Sequence, residues 1–265
     1  DVLYAEPDWM VSADTTPSDS RWAEQWDRLK VGAPAAWDSQ TGCPDVVVAV
    51  VDTGIDFSHP DLAPNLWVDP VGGGHGFTCA NSVVSPGGLD DNGHGTHVAG
   101  TIGATGNNGI GIAGLNWSVQ LLAMKFLDAN GQGYVSDAVL VFEKLVELRQ
   151  AGINVRVSNN SWTVGAYSQA LKDAMDLATA AGVLHVCAAG NFTRDIDLDP
   201  WYPAAFEGRG ILTVAATDAS DNPASFTNAG LVGVDLAAPG VSTLSTVPTG
   251  SCTYCDASGY KLLSG

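Results

Sequence analysis

Val46-Val47-Val48-Ala49-Val50-Val51-Asp52-Thr53-Gly54-Ile55-Asp56 runs an unbroken apolar, mostly β-branched stretch into a carboxylate and a glycine turn. A strand open to solvent on one face alternates apolar and polar residues; a continuous run suits a strand covered on both faces, as in parallel sheets. Residues 119–124, 183–188 and 211–216 read the same way, and 153–157 more weakly. Helical patterns lie between them. Residues 94–104 open after an Asp-Asn-Gly turn, and 136–150 carry apolar residues at 138, 139, 142, 145, 146 and 148. Residues 168–181 repeat the period with Leu171, Ala174, Met175, Leu177 and Ala178. Strands alternating with helices predict an α/β fold: a three-layer, doubly wound, mostly parallel sheet with helices on both faces. In such sheets functional groups collect beyond the C-terminal ends of the strands. Asp52, Asn160 and Asn191 each follow a predicted strand and are expected on that rim.

The chain has 265 residues, 45% of them hydrophobic, enough for one sizeable core. No apolar run approaches the ~18 residues needed to cross a bilayer, so no membrane association is expected. The first residues show neither Met nor a charged-then-apolar leader, which suggests a trimmed start. Net charge is −18, from 29 acidic and 11 basic residues. Such a surface repels phosphate backbones, which argues against nucleic acid as a partner, and it suits oxygen-liganded cations. Of the five cysteines, Cys187 sits in an apolar run and reads as a buried free thiol. Cys43, Cys79, Cys252 and Cys255 fall in Gly/Pro/Ser-rich surroundings expected to hold disulfides, with three pairings open. Cys252-Thr253-Tyr254-Cys255 could instead be a redox pair or half a zinc site.

An activated serine needs an imidazole to take its proton, a carboxylate to hold that imidazole in one tautomer, and donors for the oxyanion. Asp52 ends a buried run. His94 starts a helix between Gly93 and Gly95. Asn191, in Ala188-Ala189-Gly190-Asn191, offers an amide donor at another strand's end. Each residue alone has a plain structural explanation; together, in this order, they point to acyl transfer.

Val50-Val51-Asp52-Thr53-Gly54-Ile55-Asp56, His94-Gly95-Thr96-His97-Val98-Ala99-Gly100-Thr101 and Ala188-Ala189-Gly190-Asn191 resemble three motifs of the subtilisin-like serine peptidases, the subtilases. The resemblance implies that Asp52 orients the imidazole, His94 is general base then acid, and Asn191 stabilises the oxyanion. His97 would be structural. Leu262-Leu263-Ser264-Gly265 looks like the approach to the family's Gly-Thr-Ser-Met-Ala motif, which would place the nucleophile two residues beyond Gly265. On this reading Ser264 is not the nucleophile, and residues 1–265 alone are expected to be an inactive serine endopeptidase. The alternative is a non-catalytic, calcium-binding extracellular module.

By the same resemblance, Gly131, Gln132 and Gly133 form an edge that pairs with substrate main chain, opposite Ser161, Trp162 and Thr163. Ala188, Ala189 and Gly190 would line the primary pocket between them. Thr163 stands where the family usually has Gly, and its β-branched side chain is expected to narrow the pocket mouth. Asp61 and Asn108 match ligands of a Ca²⁺ site that the carbonyls of Gly106, Ile110 and Ile112 complete, with Asp19 from the N-terminal region. Six to eight oxygens from a glycine-rich loop suit this hard cation. Residues 1–15 would be the end of an inhibitory propeptide or an extended arm, and 16–265 the peptidase domain without its C-terminal serine-bearing part. The resemblance further implies a secreted monomer acting on protein or peptide substrates, with its own propeptide as inhibitor.

Overall fold

A computed structural model describes residues 5–7 and 15–265. The segment read as a propeptide end, residues 1–15, therefore lies outside the described residues except at 5–7 and 15.

Two short helices, α1 (Trp26–Lys30) and α2 (Ala33–Trp37), lead into the long strand β1 (Gly42–Asp52). There follow β2 (Gly76–Ala80), β3 (Val83–Pro86), α3 (His94–Gly103), β4 (Ser118–Lys125), α4 (Val135–Gln150), β5 (Val155–Asn160) and α5 (Gln169–Ala180). The chain continues through β6 (Leu184–Ala188), β7 (Ile211–Thr217) and β8 (Leu236–Pro239), then the pair β9 (Thr243–Thr246) and β10 (Tyr260–Leu263). Eight strands form one sheet in the order β3-β2-β4-β1-β5-β6-β7-β8. The pairings are parallel except at the edge, where β2 and β3 run antiparallel. β9 and β10 form a separate antiparallel pair.

The apolar run of β1 is explained by what covers it. Val47, Ala49 and Val51 enter a core with Phe142 and Leu145 of α4 and Leu171 and Met175 of α5. Val48 and Val50 enter a second core with Ala99 of α3, Leu121 and Ala123 of β4 and Leu244 of β9. Successive side chains of a strand point to opposite faces, so both sets must be apolar. Each fully buried valine contributes roughly 1.5–3 kcal/mol. α5 starts on Ser168, whose Oγ accepts from Leu171 N at 3.3 Å, an N-cap that satisfies one of the helix's orphan donors.

β4 pairs with one side of β1 and β5 with the other, so the order of connection reverses there. Asp52, the last residue of β1, sits at this switch point. Asn191 follows β6 on the same rim and is exposed. Asn160 takes the place in β5 that Asp52 takes in β1. It is fully buried as the last residue of β5, and its Nδ2 donates to Val186 O and Ser158 Oγ.

The cysteine reading needs correction. Cys252 and Cys255 are disulfide-bonded, but Cys43, Cys79 and Cys187 are free. Cys79 lies within β2, fully buried in the core that α4 covers, where burial pushes its thiol up to about 12. Cys43 lies exposed near the start of β1. Cys187 is the buried free thiol expected.

Candidate active site

Asp52 is fully buried, and its Oδ1 and Oδ2 lie 2.8 and 3.0 Å from His94 Nδ1. Thr53 N donates to the same Oδ1 at 2.7 Å. The carboxylate charge raises the His94 pKa above its ordinary value, against the opposing effect of burial. A proton on Nδ1, donated to Asp52, leaves the Nε2 lone pair to act as a base. The close approach of α3 to β1 depends on Gly95. A Cβ there would stand 2.2 Å from Gly54 O and 3.1 Å from Asp52 Cβ.

A second carboxylate, Asp90, holds this junction, and the sequence reading did not single it out. Its Oδ1 accepts from Thr53 Oγ1 at 2.8 Å and from the N–H groups of Asn92 and Gly93, each at 2.9 Å. Its Oδ2 accepts from Thr96 N at 3.0 Å and Thr96 Oγ1 at 2.5 Å. Thr53 Oγ1 in turn accepts from Gly95 N at 2.9 Å. One buried anion thus ties the end of β1 to the first turn of α3, where negative charge is favourable. Its position four residues ahead of His94 is not ordinary cap spacing, so local pattern gave little signal. Lys125, paired with Asp91 at 2.6 Å, also donates to Thr53 O and Leu127 O, each at 2.8 Å. His97 is structural, as expected: its Nε2 lies 3.1 Å from Lys261 O, and burial lowers its pKa to about 4.

Two cavities meet at His94. One, of about 570 Å³, has Gly131, Gln132 and Gly133 on one wall and Ser161, Trp162 and Thr163 on the other. Trp162 packs edge-on against Phe126, ring centroids 4.9 Å apart. The other, of about 410 Å³, is lined by His94, Ser161, Ala188, Ala189, Gly190, Asn191 and Gly265. Asp52 bonded to His94, and His94 sharing a cavity with Asn191, bring the three predicted groups together. Ala188 to Gly190 line the second cavity, and Ser161 of the second cleft segment lines both. Thr163 stands at the junction, its Cγ2 3.5 Å from where a side chain on Gly190 would begin. Tyr254, also missed in the sequence reading, lines both cavities, its ring centroid 6.2 Å from that of His94.

The predicted metal ligands also converge. Asp61 is fully buried; its Oδ1 accepts from Asn108 Nδ2 at 2.8 Å. Its Oδ2 accepts from Ile112 N at 3.0 Å and Tyr260 Oη at 2.9 Å. Asp19 Oδ2 accepts from Asn107 N at 2.6 Å, and among the described residues its buried Oδ1 has no partner. Burial, and then the nearby Asp61 charge, raise the Asp19 pKa. Gly106, Ile110 and Ile112 lie in the same loop, and their carbonyls accept no backbone hydrogen bond among the described residues. No group of three or more His, Cys, Asp or Glu side chains is placed to hold a metal among the described residues. That gives no support to zinc at Cys252–Cys255.

The family model described as the subtilase family matches residues 44–262. The chain belongs to the subtilase family. It is 34% identical over 264 residues to a thermophilic serine proteinase of Bacillus sp. (strain AK1), covering 99% of this chain and 60% of that protein. It is 40% identical over 238 residues to subtilisin BL of Lederbergia lenta, covering 89% of this chain and 78% of that one. Thermitase of Thermoactinomyces vulgaris is 37% identical over 248 residues, with 93% and 81% covered. No helix among the described residues of this subtilase is long and apolar enough to cross a membrane.

Proposed function

We propose that this subtilase chain carries the acid, base, oxyanion donor and substrate cleft of a secreted serine endopeptidase. The observation that carries the reading is the 2.8 Å contact of a buried Asp52 carboxylate with His94 Nδ1, beside a cavity shared with Asn191. Gly265 reaches that cavity too, where a side chain on it would start 3.4 Å from Asn191 Nδ2. A serine two positions on would enter between base and amide.

In the reaction, His94 Nε2 takes the serine hydroxyl proton as the oxygen bonds to the substrate carbonyl carbon. The carbonyl oxygen gains the electron pair and accepts from Asn191 Nδ2. Asp52 stabilises the imidazolium and keeps its Nδ1 proton in place. The oxyanion collapses, His94 gives the proton to the departing amine, and an acyl-enzyme remains. Water repeats the sequence and releases the second product. An extended substrate lies between Gly131–Gly133 and Ser161–Thr163, its main chain bonding to an open edge.

The Asp19–Asp61 region fits a structural Ca²⁺. Two buried carboxylates stand close, one oxygen lacks a partner, and three loop carbonyls are free of backbone bonds among the described residues. Asp19, Asp61, Asn108 and the carbonyls of Gly106, Ile110 and Ile112 would hold it, a set of oxygen donors that suits this hard cation. Bound there, the ion supplies positive charge that balances the pair.

The gene read past Gly265, and its product assayed, tests the function. Expected are a serine at the second position, fluorophosphonate labelling of it, and hydrolysis of a denatured protein that His94→Ala abolishes. Residues 1–265 alone are expected to hydrolyse nothing. A different residue at that position, or hydrolysis indifferent to His94→Ala, would refute the proposal.

A further inference from the structure

The loop between β9 and β10 crosses the active rim and closes on itself through Cys252–Cys255, with Thr253 and Tyr254 held between the sulfurs. Tyr254 N donates to Asn92 O at 2.8 Å, which anchors the loop to the turn before His94. Gly93, at φ +101°, makes room for it: a Cβ there would meet Tyr254 Cβ at 2.9 Å. The phenol ring, half-buried, then stands beside the imidazole with 6.2 Å between centroids and a 52° tilt. Thr253 and Tyr254 both line the cavity that holds Gly131–Gly133 and Ser161–Thr163.

Alternation along an extended peptide decides what meets this ring. Successive side chains point to opposite sides. If the residue that supplies the scissile carbonyl sends its side chain toward Ala188–Gly190, the preceding residue, P2, faces the other cavity and His94. We infer that Tyr254, braced by the Cys252–Cys255 disulfide, is a specificity-determining residue that limits P2 to small side chains. The ring covers the flank of the imidazole that a larger P2 side chain would occupy. The inference rests on the peptidase reading for the direction of the peptide, and on this chain's own loop for the restriction.

The test uses the full-length protein and tetrapeptide p-nitroanilides that differ only at P2 (Gly, Ala, Leu, Phe). The matching peptide amides give dissociation constants by calorimetry. Expected is a preference of about tenfold or more in kcat/KM for Ala over Phe, the scale set by a side chain that does not fit. Tyr254→Ala should reduce that preference below about threefold, while Tyr254→Phe keeps it. Replacing both cysteines (Cys252→Ser with Cys255→Ser) should act like Tyr254→Ala. A P2 ranking unchanged in Tyr254→Ala, or a change confined to the residue after the scissile bond, overturns the inference. A disulfide-free variant with the wild-type ranking overturns the bracing role. Absence of hydrolysis in every variant would count against the peptidase reading instead; the binding constants would still decide the role of Tyr254.

Discussion

Replacing Asp90 by Ala should be among the most damaging single changes in this chain outside the apolar core. The substitution removes the acceptor for three backbone N–H groups and two hydroxyls at the junction of β1 and α3. A buried donor left without a partner costs about 1–3 kcal/mol, and bonds to a charged acceptor are the stronger kind. Asp90 is 9% exposed, so water can reach part of the gap and the terms do not simply add. A net loss of about 4 kcal/mol is expected. Average unfolding entropies scaled to 265 residues convert this to a fall of about 7 °C in melting temperature. Asp91 is the internal control. Its side chain is 54% exposed and pairs with Lys125 across solvent, so Asp91→Ala should cost less than about 1 kcal/mol. Urea titration followed by tryptophan fluorescence measures both, with the slope m checked for constancy. If Asp90→Ala costs no more than Asp91→Ala, the claim that Asp90 holds the junction of β1 and α3 fails.

With His94 as the proposed base, hydrolysis requires its neutral form; the Asp52 charge holds its pKa above 6.5, so the acid limb of the pH–rate profile should lie above that value. Asp52→Asn should lower the rate and move the limb to lower pH; an unmoved limb would dissociate His94 from it. The sign for stability is opposite: the charged pair stabilises the fold below pH 6.5, and this contribution is lost as pH rises through the raised pKa. Chelation should lower the melting temperature, because an ion held at 100 times its Kd adds about 2.7 kcal/mol. Asp61→Asn should make melting insensitive to EDTA, and equal wild-type melting with and without EDTA would remove the site. Thr163→Gly should raise cleavage after Phe relative to wild type, since the threonine methyl stands beside Gly190 at the junction of the cavities; equal rates would discard that role.

The parts of the fold that could be read from sequence were those whose residues report their own environment. β1 from Val46 to Val51 and β4 from Leu121 to Met124 are continuous apolar runs because helices cover both their faces, and α5 shows its buried side through Leu171, Ala174, Met175 and Ala178. β8, with Leu-Ala-Ala-Pro, and β2, with Gly-Phe-Thr-Cys-Ala, carry no such pattern. Their strand state comes from backbone pairing with β7 and β4, which is not local information. Cys79 was misplaced for the same reason: its neighbours suggested a loop, but pairing makes it part of the sheet. Asp52 and His94 were legible because glycines beside them mark close backbone approach. Asp90 and Tyr254 were not, since one acts at unusual spacing and the other reaches the site only through the return of a loop from more than a hundred residues away.

The thiol inventory has a practical consequence. Cys79 and Cys187 are sealed in the interior and Cys252 and Cys255 are joined, so among the described residues Cys43 alone presents an accessible sulfhydryl. It sits near the beginning of the strand that Asp52 terminates, and at about 3.3 Å per residue the two are roughly 30 Å apart. A maleimide dye would therefore attach at one point, on the far end of the sheet from the cleft and within energy-transfer range of a fluorescent peptide docked there. Within residues 1–265, Cys43 thus serves as a handle for watching ligands arrive in single-molecule experiments.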